Sequence, residues 1–273
     1  MLSETTSYMK DTGSPEPYLR KIAEAGFTHV HRGHQWDTDF LYSKSEIDQI
    51  RAWLKEYGLQ MLNMHGSAGI EKKWDSPREY ERIAGVELVA NRLMIAGELG
   101  AGVVIMHFDR LPANEAEKAP YWSRMRRSLD ALEPVALRCG VKLALENYED
   151  ESYEEAKTFF AAYSPDFLGF CYDSGHGNLG RGEGFQRLEE VKQRLIAVHL
   201  HDNNGIEDQH RVPFMGTVDW SRLMQIIASS PYRLGINLES THRDYPDFHS
   251  EDEFLQAAYQ AGQRLAGILE KFL

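Results

Sequence analysis

Short apolar, β-branched runs alternate along this chain with longer segments of helical period. The runs fall at residues 28–32 (THVHR), 60–65 (QMLNMH), 102–107 (GVVIMH), 141–146 (VKLALE), 168–173 (LGFCYD), 195–200 (LIAVHL) and 234–239 (LGINLE). An eighth strand is expected at residues 2–8 (LSETTSY), which is polar for a buried strand but is the only stretch left for it. Between the runs lie segments with helix signals. Ser76-Pro77-Arg78-Glu79 reads as an N-cap serine, a proline at the first helical position and a glutamate three residues on. Ser43–Glu46, Ser152–Glu155 and Ser250–Glu253 repeat the capping-box spacing, and Asp219 reads as an N-cap. Pro134 should kink a helix expected over 121–138, and Gly26, Gly100 and Gly140 each stand where a helix must stop. Strand–helix alternation implies a parallel sheet, and eight units in this length favour a closed (β/α)₈ barrel, one domain spanning 1–273. There is no glycine-rich phosphate loop after an early strand, so a Rossmann fold has little support.

Composition narrows the partners. The 273 residues are 42% hydrophobic and 26% charged, ordinary for a globular protein. Lys and Arg number 30 against 42 Asp and Glu, a net charge of −12. That balance disfavours nucleic acid or an anionic membrane surface as partner. Two cysteines, Cys139 and Cys171, fit a reducing compartment better than a disulfide scaffold. The opening MLSETTSYMKD lacks a basic region followed by an apolar run, and no stretch reaches eighteen uninterrupted apolar residues. A cytoplasmic location is the expectation.

The polar residues then change the picture. Strand after strand ends in a side chain able to bind metal: His31, His65, His107, Glu146, Asp173, His199 and Glu239. In a (β/α)₈ barrel these ends converge on one mouth. Any one of them alone is as readily a hydrogen-bonded structural residue or a helix cap. Together they would crowd carboxylates into one place, which is costly unless a cation or shared proton offsets it. His176 follows Asp173 by three residues, on a loop over the mouth. His199 and His201, two apart, point to the same side of their strand, and Asp208 and His210 follow in a loop.

The segments LALEN (143–147), CYDSGHGN (171–178), VHLHDNNG (198–205), VPFMGTVDW (212–220) and INLES (236–240) give the chain its resemblance to the xylose isomerase-like TIM barrel superfamily. That group includes sugar phosphate isomerases and epimerases, ketose 3-epimerases, inosose dehydratases and endonuclease IV. The resemblance implies a divalent metal ion on Glu146, Asp173, His199 and Glu239, with Glu146 and Glu239 also the catalytic acid/base pair. It implies that His176 contacts substrate or metal. His65, His107, Asp208 and His210 complete, with the others, a nine-ligand set like that of three-zinc endonuclease IV, so more than one ion is open. The first strand and the Pro213-Phe214-Met215-Gly216 element depart from the family pattern.

The reaction expected first is metal-dependent isomerisation or epimerisation of a sugar, sugar phosphate or related polyol. It proceeds by proton abstraction α to a carbonyl through an enediolate, a task of carbohydrate metabolism. Mn²⁺, Co²⁺, Mg²⁺ and Zn²⁺ all suit oxygen and imidazole ligands. The alternatives are an endonuclease IV-like multi-zinc phosphodiester hydrolase and an inosose-type dehydratase. The expected partner is a small carbohydrate, with no nucleic acid and no membrane. A homo-oligomer is a further expectation, since barrels of this family often pair. His201 and Arg211 join the candidate metal or substrate contacts, Trp36, Trp74, Phe108 and Trp122 could stack on a sugar, and Arg32, Arg110, Arg181, Arg211 or Arg243 could hold an anionic group.

Overall fold

The computed structural model describes residues 1–9, 13–107, 111–148, 150–179, 183–242 and 247–273. Its strands are β1 (Leu2–Thr5), β2 (His29–Arg32), β3 (Gln60–His65), β4 (Val103–Met106), β5 (Lys142–Glu146), β6 (Leu168–Asp173), β7 (Leu195–His199) and β8 (Ile236–Leu238). All pair in parallel, in the order β7-β6-β5-β4-β3-β2-β1-β8. A parallel bridge between Leu200 and Leu238 joins the two ends, with Leu200 N–H donating to Asn237 O and Glu239 N–H to Leu200 O. The result is a (β/α)₈ barrel.

Residues 2–8 do supply the first strand, shorter than expected. Its polar residues are enclosed all the same: Ser3, Glu4 and Thr5 are all buried. Glu4 accepts the Thr5 N–H at 3.0 Å. Burial, with Glu239 nearby, pushes its carboxyl well above the usual range, so it is held neutral.

The helices are α1 (Glu16–Glu24), α2 (Lys44–Tyr57), α3 (Glu79–Leu99), α4 (Glu115–Cys139), α5 (Asp150–Ala162), α6 (Ser174–Asn178), α7 (Gly184–Val191), α8 (Trp220–Ala228) and α9 (Glu251–Leu269). Ser43 and Glu46 form a full capping box on α2, and Ser250 and Asp219 cap α9 and α8. Two starts differ from the sequence signals. Helix α3 begins only at Glu79, because the Ser76 hydroxyl accepts the Arg78 N–H and donates to Glu81 instead of capping the helix. Ser152 lies inside α5, and its hydroxyl accepts the Tyr148 N–H. Helix α4 starts earlier than expected and continues as one element through Pro120 and Pro134. Gly100 and Gly140 end α3 and α4 in the left-handed region, as their positions suggest. No helix among the described residues is long and apolar enough to cross a membrane.

The core has two parts. The larger lies between barrel and helices and holds Val104, Met106, Leu143, Leu145, Phe170 and Tyr172. Full burial of each such side chain contributes about 1.5–3 kcal/mol. The smaller, Val103, Ile105, Ala144, Cys171 and Ala197, fills the barrel interior on the β4–β7 side. Opposite it the same interior level is polar: Ser3, His31, Asn63 and Asn237 are all fully buried there. The floor under the mouth is thus half apolar and half hydrogen-bonding.

Candidate metal centre

Each site residue owes its position to strand parity: one residue in two faces inward, and the last inward residue of each strand stands at the mouth. At the centre is His199. Its Nδ1 lies 2.8 Å from Glu146 Oε1 and 3.0 Å from Glu239 Oε2. The other Glu146 oxygen, Oε2, meets His107 Nε2 at 2.8 Å and His65 Nε2 at 3.5 Å. The other Glu239 oxygen, Oε1, meets His31 Nε2 at 3.5 Å and His65 Nε2 at 3.8 Å. Burial draws His199 down, but Glu146 and Glu239 outweigh it and hold the imidazole well above its usual range. Burial likewise drives both carboxyls up, and His199 above all brings them well below it. His65 is the exception: burial pushes it well below the usual range, so it is neutral with a lone pair free.

A second group lies beside the first. Asp208 Oδ2 is 3.2 Å from both His176 Nε2 and His210 Nε2. Each imidazole is pinned by its far nitrogen: His176 Nδ1–H donates to Asn147 O at 2.8 Å and His210 Nδ1–H to Glu239 O at 2.9 Å. A backbone carbonyl behind each ring, leaving Nε2 to face a carboxylate, is the support metal-ligating histidines require. Burial opposes charge on both rings, yet Asp208 pushes His210 up to about 9, and Asp173 with Asp208 holds His176 well above its usual range.

Asp173 stands between the groups. Its Oδ1 accepts the His176 N–H at 2.7 Å, capping α6, and its Oδ2 faces His201 Nε2 at 3.0 Å. His201 in turn stacks on His210, centroids 3.8 Å apart and 9° from parallel. His176 therefore sits on a short helix rather than the expected loop. The two glycines in SGHGN hid that helix from the sequence reading. One of them is required, since a Cβ on Gly175 would lie 1.9 Å from His201 Cε1.

Over these groups opens a cavity of about 850 Å³, within the range of small-molecule sites. Glu239, His65, His107, His176, Asp208 and His210 line it, together with Trp36, Trp74 and Tyr148. Glu146 does not. It is wholly buried behind His107, whereas Glu239 keeps 13% of its side chain exposed. Trp36 lies with ring centroids 5.0 Å from His65 and 5.5 Å from His107. Trp122 packs on Tyr121 and Phe159 instead. Arg32 is buried against Tyr42, and Arg211 forms a two-pronged ion pair with Asp247 at 2.9 Å. Phe108, Arg110, Arg181 and Arg243 lie outside the described residues.

One residue of weight escaped the sequence reading. The buried Asp202 carboxylate accepts N–H bonds from Asn203 (2.9 Å), Phe214 (2.9 Å), Val218 (3.1 Å) and the Trp220 indole (3.0 Å). It ties down the segment carrying Asp208 and His210, in which His210 and Phe214 hold positive φ of 47° and 74°, conformations that cost of order 1–3 kcal/mol each. Asp202→Asn replaces one acceptor oxygen by a donor facing donors. We expect it to lower stability by about 2–4 kcal/mol and to open residues 203–218 to protease, read by thermal melting and limited proteolysis. An unchanged melt and digest would show that the segment holds itself.

The donor atoms suit divalent ions. Ligand atoms roughly 2.1 Å from a shared ion lie about 3.0–3.4 Å from one another, close to the spacings above. Each of the sets His65–His107–Glu146, His176–Asp208–His210 and His31–His65–His199–Glu239 has ligand atoms within 4.8 Å of one another.

A (β/α)₈ barrel with a carboxylate–imidazole mouth is the class these features define. Residues 19–263 match the xylose isomerase-like TIM barrel family, and the chain belongs to it. The uncharacterized protein y4fM of Sinorhizobium fredii is 32% identical, covering 90% of this chain and 87% of its own. D-Psicose 3-epimerase of Clostridium cellulolyticum H10, solved with D-tagatose, superposes with a TM-score of 0.79 at 17% identity over 98% of this chain and 99% of that one. The 3-keto-D-glucoside 4-epimerase YcjR of E. coli gives 0.73 at 19% identity, covering 97% of each chain. At such identities the likeness is one of fold.

Proposed function

We propose that the protein is a divalent-metal-dependent isomerase or epimerase of a small carbohydrate, working by proton transfer at a carbon next to a carbonyl. The observation that carries this reading is the pair Glu146 and Glu239, on β5 and β8, meeting on one imidazole beneath the cavity. Asp173 stands as the fourth ligand of that set. A bound ion would offset the negative charge that develops on the substrate oxygens. Glu239, which reaches the cavity, takes the proton from carbon. Glu146 is the other member of the pair: the proton is returned at the opposite face or the adjacent carbon once Glu146 has taken one up, and it also holds His107 Nε2 on the cavity wall at 2.8 Å. Trp36 covers the imidazole wall and excludes water from the reacting carbon. Among the structural neighbours are D-psicose 3-epimerase and 3-keto-D-glucoside 4-epimerase, which supports this reading.

The test is ¹H/²H exchange into ketopentoses and ketohexoses in D₂O. Exchange and product formation should vanish after chelation and return on adding Mn²⁺, Co²⁺, Mg²⁺ or Zn²⁺. Undiminished exchange in metal-free protein would end the metal-dependent reading, and no exchange with any ketose or its phosphate would end the epimerase reading.

The sets His65–His107–Glu146 and His176–Asp208–His210 favour one second reading, a multi-zinc phosphodiester hydrolase of the endonuclease IV type. The net charge of −12 opposes a polyanionic substrate. Three zinc ions per chain together with cleavage of abasic DNA would establish it.

A further inference from the structure

We infer that His31 is itself a metal ligand, so that His31 and His65 add imidazole nitrogen to the His199–Glu239 end of the metal centre, which then takes Zn²⁺ or Co²⁺ in preference to Mg²⁺. The inference rests on the reading that a divalent ion sits at this mouth, and it concerns which of this chain's residues hold it.

His31, the last inward residue of β2, pairs with Asn63, one level deeper than His65, and is fully buried. Its Nδ1–H donates to Asn63 Oδ1 at 2.7 Å. That bond occupies Nδ1 and leaves Nε2 as the ring nitrogen available to a metal. Nε2 is buried without a hydrogen-bond partner, and it points at Glu239 Oε1, 3.5 Å away. A buried ring nitrogen facing a carboxylate oxygen beyond hydrogen-bond distance is unfavourable unless a cation lies between them. Two further imidazoles pack against it: the His31 centroid is 4.6 Å from that of His199 and 5.5 Å from that of His65. His65 Nε2 also faces Glu239 Oε1, at 3.8 Å. One ligand atom from each of His31, His65, His199 and Glu239 lies within 4.8 Å of every other.

Chemistry follows from the donor types. Three imidazoles and one carboxylate are borderline-soft ligands that suit Zn²⁺ and Co²⁺, whereas Mg²⁺ asks for oxygen and water. Asn63 is then the outer residue that fixes the ligand's tautomer, and loss of such a partner costs about 10–100-fold in metal affinity.

The test uses the full chain, stripped of metal and titrated with Zn²⁺ against a chromophoric chelator and with Co²⁺ by its visible absorption. His31→Gln should weaken binding at the site by about 100-fold or more and change the Co²⁺ spectrum, and Asn63→Ala should weaken it about 10–100-fold. His29→Gln, on the same strand and away from the cavity, should do neither. An excess of Mg²⁺ should not displace Zn²⁺ from the unmutated chain. A readout free of mutation runs alongside: in ¹⁵N-histidine-labelled protein, Zn²⁺ should shift the His31 Nε2 resonance and leave Nδ1 protonated. If His31→Gln binds Zn²⁺ as the unmutated chain does, or if the His31 nitrogens ignore Zn²⁺ while the chain binds it, the assignment is wrong and His31 is a structural histidine. If the unmutated chain binds no divalent ion at all, the metal-dependent function itself fails.

Discussion

Glu239→Gln should cut turnover by about 10²–10⁴-fold, the usual contribution of a positioned acid or base, while the chain keeps most of its metal. Glutamine retains a carbonyl oxygen of the same reach, so His199 keeps one contact that Glu239 Oε2 now makes at 3.0 Å. What is lost is the capacity to take a proton at the one central carboxylate that lines the cavity. Glu146→Gln should behave differently. Glu146 bonds His199 through one oxygen and His107 through the other, both at 2.8 Å, and is wholly buried. An amide there would turn a donor toward one of those rings and should release metal along with activity. Deuterium exchange at the α carbon and metal content, measured on both variants, separate the two. Near-normal exchange in Glu239→Gln would refute its role as the base, and equal metal loss in both would remove the distinction between them.

This asymmetry was not legible in the sequence, although the pair was. The mouth residues could be read because an apolar run ending in Glu, Asp or His has one physical meaning in a parallel barrel: the inward parity and the strand end coincide. The same logic located seven of the strands to within two residues, the first strand ending three residues early. It failed where local and distant partners compete for one side chain. Ser76 has the spacing of a cap but bonds Glu81. Arg211 has the place of an anion contact but pairs with Asp247, 36 positions on. Asp202 carries no local signal of its role, and only the fold reveals four N–H groups converging on it. Which oxygen of Glu146 or Glu239 faces the cavity depends on barrel closure between β7 and β8, and no spacing in the chain encodes that.

Acidification should strip the ion from Asp208 before the ion on Glu239, and more steeply. In the metal-free chain His176 is held well above its usual range and His210 is pushed up to about 9, so both carry a proton at neutral pH. Their Nδ1–H groups are committed to backbone carbonyls, hence the proton to be displaced is the one on each Nε2 facing Asp208. Two protons then leave for each ion bound, and apparent affinity falls by about a hundredfold per pH unit between roughly pH 8 and 6. At the Glu146–Glu239 set His199 carries such a proton while His65 is held well below its usual range, and displacing the His199 proton gives about tenfold per unit. Stability of the metal-free protein runs the other way. An imidazole whose folded-state value is raised contributes stability that is complete below about pH 6.5 and is lost as pH climbs through about 9. The melting temperatures of loaded and stripped protein should therefore diverge as pH rises. Calorimetric titration with Zn²⁺ in two buffers of different ionisation enthalpy counts the protons, and metal content after dialysis at pH 6, 7 and 8 gives the order of loss. Parallel loss from both sets with one slope would mean that Asp208 and its two histidines hold no ion of their own.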